Sequence, residues 1–564
     1  MAEMAGMMAE VRLANSMEIK RSKRLKGQPS LQGDGLAGFQ ALLLGALAEG
    51  PTRLENLPAT PWFKDILEDF IRMGYAQQSL DGQWVIHGGS APVSGPEPLR
   101  VRHEAELLPL AAFLAAQGCQ RSLAVDADCV SGEALEMLEK ILRLEKPPTL
   151  QSGFPSASPA KDAPDSQAHD ASMREAAADG GTVSGTDAVE QMEADLDAQA
   201  LEPSEESAHP ENGIPGAAQA ISAAAGPADP EEPAEAHYLI ETPTGLTKKA
   251  EALLRPSSQS GPSAKPADLK WDEYLSKLTL LAYHLAAGQP LDLSLGKSGP
   301  DLLETLAAHF EAPLKIDRNE APEGDELARR IARQMRAAGK QEAQIRLRLA
   351  PGSKPKPQTY AVPADITQAS AYCLAATLIK GSDITLEGVP LNPSRAGFIS
   401  SLRRMGADIE VVTRRERYGE GMGVLRIRTA DLLGKRFGAE NISAMRDEVF
   451  LLMVAAAYAE GETIIRDISH LRRHRRDLLK GFAANLKTAG VEIGEIEDGL
   501  VIRGRPDYDG SAYDAMGHPG LGLACLVMGL KSHGASLLWG ASCLFGRYPG
   551  ILEQFAALGA GDKA

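Results

Sequence analysis

The chain has 564 residues, 43% of them hydrophobic, which is enough for several folded domains with buried cores. Its formal net charge of −17 is uneven, because residues 151–236 hold 18 Asp and Glu but only 2 Lys and Arg. Five scattered cysteines without a CxxC pair argue against a disulfide framework and against a zinc site. No apolar run approaches the roughly 18 residues of a spanning helix, and residues 1–16 lack a secretory signal pattern. We therefore expect a cytoplasmic protein that does not enter a membrane.

One pattern recurs along the chain: an Ala/Leu-rich helix ends at a Gly or polar turn, and a short strand follows. Six copies begin at Ala41, Leu110, Leu278, Cys373, Leu452 and Cys525. Their turn positions are held by Gly50, Gly118, Gly288, Gly381, Gly461 and Gly534. A Gly just past a helix adopts the left-handed cap conformation at low cost.

A second, amphipathic helix follows most copies. In the fourth copy Phe398, Leu402 and Met405 have helical spacing, and Ser394 is placed to cap the helix. Six such copies predict an α/β (α+β) fold with two similar lobes of three βαβα-type units each and a cleft between the lobes. A cleft between lobes is the expected place for a ligand.

The predicted boundaries follow from these repeats and from composition. Residues 151–236 are rich in Ala, Pro, Ser, Asp and Glu and have one aromatic residue, which predicts a disordered acidic insertion. The predicted segments are a tail (1–16), a strand region belonging to the C-terminal lobe (17–34), lobe 1 in two parts (35–150 and 237–355), the insertion, and lobe 2 (356–564).

The run "VPADITQASAYCLAATLIKGSDITLEGVPLNPSRAGFISSLRRMGADIEV", within residues 360–411, resembles the enolpyruvyl transferase family, with the 5-enolpyruvylshikimate-3-phosphate (EPSP) synthases as the most similar branch. The first copy, "ALLLGALAEGPTRLENL", and the fifth, "DEVFLLMVAAAYAEGETIIRDI", resemble it as well. The resemblance implies six folding units in two lobes. It also implies transfer of enolpyruvyl from phosphoenolpyruvate to shikimate 3-phosphate, with lobes that close on two anions and no metal or organic cofactor.

Most positions at which the family carries anion-binding or proton-transfer residues hold something else here. The resemblance places these substituted positions at Gly35, Leu36, Gln40, Tyr274, His474, Arg475, Leu478, Gly520 and Gly546. Gly35, His474 and Gly546 stand where the family has Lys. Arg475 stands for a catalytic Glu, and Leu478 for an Arg that binds phosphoenolpyruvate.

Some positions keep a residue that could act. Asp447 falls on the family's base-like Asp, and Ser298 falls on a Ser that contacts phosphate. Either residue could instead cap a helix. Arg472 and Asp477 also match the family loop. The remaining cations for an anionic ligand would be Arg472, His474, Arg475 and Arg547.

Losing one partner of a buried anion contact typically costs about 2–5 kcal/mol, so several losses exceed the roughly 8 kcal/mol of a micromolar ligand. The sequence therefore favours a catalytically inactive relative that serves as a binding, scaffold or regulatory protein. The alternative is an active enolpyruvyl transferase with a rearranged pocket that supplies chorismate biosynthesis.

A third hypothesis is a polyanion or nucleic-acid binder that uses the basic run 472–480 and the stretch 20–27. No aromatic residues alternate with these basic residues to stack on bases, so a nucleic-acid partner is disfavoured. The candidate partners are a protein bound through the acidic insertion 151–236 and a small anion in the cleft.

Overall fold

The computed structural model describes a discontinuous set of residues, namely 16–78, 83–95, 98–101, 104–119, 122–126, 149–152, 236–241, 273–296, 301–318, 344–352, 354–472 and 477–559. Within these ranges no helix is long and apolar enough to cross a membrane. The predicted disordered insertion lies outside them except at its two ends. Those ends belong to neighbouring strands, in which Ser152 pairs with Ala236.

The described strands, in chain order, are β1 (Ser16–Lys20), β2 (Lys26–Gly27), β3 (Pro51–Glu55), β4 (Ala76–Gln78), β5 (Trp84–His87), β6 (Leu99–Val101), β7 (Ser122–Asp126), β8 (Thr149–Ser152), β9 (Ala236–Glu241), β10 (Leu291–Gly296), β11 (Leu314–Arg318), β12 (Gln344–Leu349), β13 (Thr359–Ala361), β14 (Asp383–Pro390), β15 (Asp408–Arg417), β16 (Glu420–Arg428), β17 (Arg436–Phe437), β18 (Gly461–Ile465), β19 (Glu492–Ile496), β20 (Gly499–Gly504), β21 (Ala512–Asp514) and β22 (Ala535–Trp539).

The described α-helices are α1 (Gly35–Leu47), α2 (Pro61–Arg72), α3 (Glu104–Ala116), α4 (Glu273–Ala287), α5 (Leu302–His309), α6 (Ile366–Leu378), α7 (Gly397–Arg404), α8 (Ala439–Ile442), α9 (Glu448–Tyr458), α10 (Leu478–Thr488), α11 (Pro519–Lys531), α12 (Ser542–Arg547) and α13 (Ile551–Gly559). A 3₁₀ turn, Ser469–Arg472, precedes α10.

The strands form six small sheets, three in each of two lobes. Lobe 1 has the orders β13-β3-β5-β4, β6-β7-β9-β8 and β10-β12-β11. Lobe 2 has the orders β15-β16-β14-β2, β17-β18-β20-β19 and β1-β22-β21. Each lobe has its own apolar core, which includes Phe63 and Phe113 in lobe 1 and Phe398 and Phe450 in lobe 2. This arrangement confirms the predicted α/β fold with two similar lobes.

Each lobe buries its Ala/Leu-rich helices at the centre and keeps its amphipathic helices nearer the surface. In lobe 2, α6, α9 and α11 are buried along nearly their whole length. A helix that is apolar on all sides can be stable only in such a place. The six predicted turn glycines all have positive φ, from 62° at Gly288 to 131° at Gly50. These backbone angles confirm the repeated helix–turn–strand pattern, because they are angles that other residues rarely adopt.

The chain passes between the lobes twice, and the two passages lie side by side. The backbone N–H of Asp34 donates to the carbonyl of Pro363, and the N–H of Asp365 donates to the carbonyl of Gln32, each at 2.8 Å. Asp34 then caps α1 and Asp365 caps α6 with side-chain bonds of 2.9 Å. The first helix of each lobe therefore begins at the junction of the lobes, where functional side chains can face both.

Candidate functional site between the lobes

A buried arginine of lobe 2 holds the start of the first helix of lobe 1. Arg395 donates to Asp34 at 2.5 Å and to Glu420 at 2.9 Å, and its side chain is only 4% exposed. Burial raises the pKa of Glu420, and the guanidinium of Arg395 opposes that rise. Buried charges are tolerated when they are paired and hydrogen-bonded in this way. Both of these contacts of the Arg395 guanidinium are with carboxylates of the protein itself.

A second arginine of lobe 2 occupies the space in front of Gly35. The guanidinium of Arg547 lies 4.3 Å from the centre of the Trp62 ring and 3.4 Å from the carboxylate of Asp365. A β-carbon built on Gly35 would lie 2.1 Å from Trp62 and 2.8 Å from Arg547. Only glycine fits there without displacing the stacked pair.

The charges of Asp365 and Arg547 depend on each other. Burial raises the pKa of Asp365 to about 6, and the nearby Arg547 guanidinium acts against that rise. Burial acts to lower the pKa of Arg547, but the Asp365 carboxylate keeps it above its ordinary value. The pair is therefore an ion pair at neutral pH, with the cation committed to Asp365 and Trp62.

Asp447 lies at the start of α9, where it packs against the start of α11. It occupies the N-cap position without making a side-chain cap bond. Its Oδ1 is 3.9 Å from Nε2 of His518. A β-carbon on Gly520 would lie 2.4 Å from Cβ and 2.7 Å from Oδ2 of Asp447. The Asp447 carboxylate therefore fills the space through which a side chain at position 520 would have to pass.

The neighbouring carboxyl, Glu448, is buried inside lobe 2. It accepts hydrogen bonds from the hydroxyl of Thr367 and from the backbone N–H of Arg446. Burial raises its pKa to about 7, although both hydrogen bonds act in the opposite direction. A carboxyl of this kind can exchange a proton near neutral pH.

The loop "LNPSR" of lobe 2 holds the start of a lobe 1 helix. The amide of Asn392 donates to Asp301 at 2.8 Å, and the hydroxyl of Ser394 donates to the same oxygen at 2.6 Å. The expectation that Ser394 caps α7 is wrong, because that N-cap is Ala396. Ser394 instead bonds across the lobe interface, to the N-cap residue of α5.

The described part of the basic run serves the local structure of lobe 2. Arg472 lies 3.3 Å from Asp477 and 3.6 Å from Glu495. Asp477 caps α10 by accepting from the N–H of Lys480 at 2.8 Å. Leu478 is the first residue of α10 and lies in the lobe 2 core. Arg472 therefore has two carboxylates as its partners.

The other positions predicted from the sequence have different surroundings. Leu36 packs against the lobe 1 core, Gln40 is buried on α1, and a β-carbon on Gly546 would meet nothing within 4 Å. Ser298, His474 and Arg475 lie outside the described residues, and Tyr274 is in α4 with its side chain undescribed. Among the described ranges, no group of three His, Cys, Asp or Glu side chains could hold a metal ion.

Residues 318–555 match the family model of EPSP synthase (3-phosphoshikimate 1-carboxyvinyltransferase). Over these residues the chain is similar to the enolpyruvyl transferase family. This finding confirms the resemblance drawn from the sequence. The model match covers lobe 2 and the end of lobe 1.

Curated relatives match part of the length of this chain. The 3-phosphoshikimate 1-carboxyvinyltransferase of Synechococcus sp. (strain JA-3-3Ab) is 38% identical over 207 residues, which are 37% of this chain and 47% of that protein. The protein of the same name from Rhizobium johnstonii is 37% identical over 209 residues, 36% of this chain and 46% of its own length. The chain thus matches just under half the length of these relatives.

Two solved enolpyruvyl transferases show the same fold over nearly the whole chain. EPSP synthase from Acinetobacter baumannii aligns with a TM-score of 0.60 at 19% identity, over 96% of this chain and 98% of its own. The enolpyruvyl transferase NikO from Streptomyces tendae aligns with a TM-score of 0.54 at 17% identity, over 96% and 97%. At these identities the likeness concerns the fold alone.

Sequence reasoning missed two residues that make contacts between the lobes, Arg395 and Trp62. Arg395 stands inside the quoted "LNPSR" motif, so a buried, paired role could have been suspected from an arginine in an otherwise structural loop. Trp62 gave no such signal. Its role depends on Arg547, a residue far away in the chain.

Proposed function

We propose that this protein is a member of the enolpyruvyl transferase family that does not carry out the family reaction and acts as a binding, scaffold or regulatory protein. The observation that carries the proposal is the filled space at Gly35, where the family has an anion-binding Lys. Trp62 and Arg547 occupy that space, so a lysine side chain could not be placed there without breaking their stack.

The charges between the lobes support the same conclusion. Among the residues that the structure describes, the carboxylates of Asp34, Asp365, Glu420 and Asp447 lie near this region, and the guanidinium groups of Arg395 and Arg547 are paired with three of them. Both arginines are already paired. Binding two anions requires donors that are not neutralised by the protein itself, because charge-assisted bonds to Lys and Arg supply most of the affinity for phosphate and carboxylate.

The direct test is release of inorganic phosphate from phosphoenolpyruvate in the presence of shikimate 3-phosphate, with the full-length chain at high concentration. We expect no release above the rate without protein, whereas an active enolpyruvyl transferase in the same assay gives rapid release. Thermal shift with each compound should leave the melting temperature unchanged, because only a ligand that binds the folded state raises it. Phosphate release that is lost in Asp447→Asn would overturn the proposal.

An active transferase with a rearranged pocket is the second candidate. It is favoured by Asp447, whose side chain is 31% exposed and lies 3.9 Å from His518, and by the names of the curated relatives. In this reading Asp447 exchanges the proton, and cations from the run 472–476 bind the substrates. Growth of an aromatic auxotroph complemented by this chain would support it.

The acidic segment 151–236 is the proposed contact for a protein partner. Its 18 acidic side chains against 2 basic ones suit a partner with a basic surface. A variant lacking residues 153–234 should lose that partner in co-purification at low salt while keeping the melting temperature of the full chain. An unchanged set of partners would count against this role.

A further inference from the structure

We propose that the two lobes of this protein are locked together by the protein's own side chains, so that their separation does not respond to ligands. Three sets of contacts between the lobes, each built differently, form this lock. It deepens the proposed loss of family activity and is testable apart from it.

The first set is the buried ion network around Arg395. The guanidinium joins Asp34 of lobe 1 to Glu420 of lobe 2, and all three side chains are at most 9% exposed. Moving the lobes apart would break the contact between Arg395 and Asp34, whose side chains are 4% and 9% exposed. This buried contact therefore opposes separation of the lobes.

The second set is the stack of Arg547 on Trp62. Arg547 belongs to α12 of lobe 2, and Trp62 to α2 of lobe 1. The backbone carbonyl of Arg547 also accepts a hydrogen bond from the Gln32 amide at 2.9 Å. Gly35 leaves room for the ring and the guanidinium, which together fill the space that a side chain at position 35 would need. A partly buried cation–π pair of this kind favours the closed arrangement.

The third set lies at the tip of the β15–β16 hairpin, which reaches from lobe 2 to lobe 1. The Tyr418 ring lies 4.8 Å from His309 and 5.2 Å from Tyr360, measured between ring centres. His309 ends α5, and Tyr360 lies in β13 of the lobe 1 sheet. The tip thus contacts lobe 1 through aromatic packing rather than through charge.

The backbone of the hairpin tip supports this interpretation. Tyr418 has φ of 57° and Gly419 has φ of 73°. Turns with positive φ at both central residues usually carry Asn, Asp or Gly, and a tyrosine there is under steric strain. Packing of the Tyr418 ring against His309 and Tyr360 offsets that strain. The ring therefore contributes to the interface, although the turn would form more easily with a residue other than tyrosine.

The three sets differ in chemistry and are separate in the chain, and each is made by side chains of the protein itself. Shikimate 3-phosphate and phosphoenolpyruvate would have to displace the Trp62–Arg547 stack before they could reach Gly35. The lobes therefore stay together whether or not these compounds are present.

The test is a distance measurement between spin labels at Lys64→Cys on lobe 1 and Lys380→Cys on lobe 2, both exposed positions. Cys129 and Cys543 are replaced by Ser, and the other three cysteines are buried. We expect one narrow distance population that phosphoenolpyruvate and shikimate 3-phosphate, together at millimolar concentration, leave unchanged. Two populations, or a distance that shortens with these compounds, would refute the lock.

The second arm weakens the lock. Tyr418→Asn keeps a residue suited to the turn and removes the ring, and Arg547→Ala removes the stack. The double variant should gain a population at longer distance, whereas the control Arg426→Ala, whose Asp383 partner lies in the same lobe, should not. Should the double variant unfold, the single Tyr418→Asn variant tests the contacts of the hairpin tip alone, by the same distance measurement. A distance distribution identical to the parent protein would mean that these contacts do not set the lobe separation.

The two proposals fail in different ways. Phosphate release with an unchanged label distance would refute the loss of activity and leave the lock intact. A distance that shortens with ligands, without phosphate release, would refute the lock and leave the loss of activity intact.

Discussion

Lobe 1 and lobe 2 have the same arrangement of sheets and helices but differ in how much of each matches the EPSP synthase family model. Residues 318–555, which supply nearly all of lobe 2, match the EPSP synthase family model, whereas most of lobe 1 lies outside that match. Both lobes nevertheless have three sheets around buried helices, and all six turn glycines have positive φ. The fold thus depends on apolar helices and turn geometry, which many sequences satisfy.

The buried glutamates of the two lobes have different kinds of partner. In lobe 1, Glu304 is paired with Lys277 at 2.8 Å, and both side chains are almost fully buried. In lobe 2, Glu448 has hydrogen-bond donors from Thr367 and a backbone N–H as its described partners. In lobe 1 a buried cation therefore lies beside the carboxylate of Glu304, whereas in lobe 2 burial favours the protonated form of Glu448. Between the lobes, Arg395 pairs with the buried carboxylates of Asp34 and Glu420, although burial by itself raises the pKa of Glu420.

Removing the guanidinium between the lobes should have the largest effect. Arg395→Ala leaves Asp34 and Glu420 buried without their cation, which should lower the free energy of unfolding by about 3–5 kcal/mol. Denaturant unfolding measures the change. The matched control is Arg426→Ala, an exposed pair within lobe 2 that should cost less than about 1 kcal/mol. Equal losses in the two variants would show that the Arg395 network contributes nothing beyond a surface ion pair.

The two buried glutamates should respond in opposite directions to the same change. Glu304→Gln removes the carboxylate that lies 2.8 Å from the buried ammonium of Lys277 and should destabilise the protein. Glu448→Gln removes a carboxyl whose pKa of about 7 in the folded state exceeds its ordinary 4.5. The folded state holds that proton between about pH 4.5 and 7 and the unfolded state does not, so stability falls as pH rises through this window.

At pH 8 the Glu448→Gln variant should therefore be more stable than the parent protein, by up to about 3 kcal/mol. At pH 4.5 the difference should vanish. Thermal unfolding of both proteins across this range provides the measurement. A constant difference from pH 4.5 to pH 8 would mean that Glu448 does not titrate in this window.

The two family Lys positions occupied by glycine give the next contrast. Gly35→Lys in lobe 1 forces a β-carbon into the space of Trp62, and overpacking of this kind typically costs about 1–3 kcal/mol. Gly546→Lys in lobe 2 meets open space and should change stability by less than about 0.5 kcal/mol. Melting temperatures of the two variants separate these outcomes. If Gly35→Lys were tolerated as well as Gly546→Lys, the space in front of Gly35 would be available to a ligand.

The smallest expected effect is that of Arg472→Ala. Arg472 is partly exposed and contacts Asp477 and Glu495, so its loss should cost less than about 1 kcal/mol. The same variant should not alter the thermal shift with phosphoenolpyruvate, since its partners are carboxylates of the protein. A shift present in the parent protein and absent in Arg472→Ala would restore Arg472 as a substrate-binding residue.

The sequence predicted the repeated architecture because its signals are local. Helical spacing and a glycine after each inner helix can be seen within about twenty residues. The contacts between the lobes could not be predicted, since Arg395 meets Asp34 and Arg547 meets Trp62 only after both lobes have folded. Ser394 shows the same limit, because its spacing suited a local cap but the structure gives its hydroxyl a partner in the other lobe.

The pairing of β1 with β22 bears on how this protein is made. Ser16–Lys20 is an edge strand whose only described partner in the sheet is Ala535–Trp539. At about 5–20 residues per second, a ribosome needs roughly half a minute to two minutes to make the chain between them. Lobe 1 can be assembled during that time, but the pair of β1 and β22 cannot form until Ala535–Trp539 has been made. Throughout this interval β1 lacks its partner strand, and its unpaired backbone groups can pair with other chains.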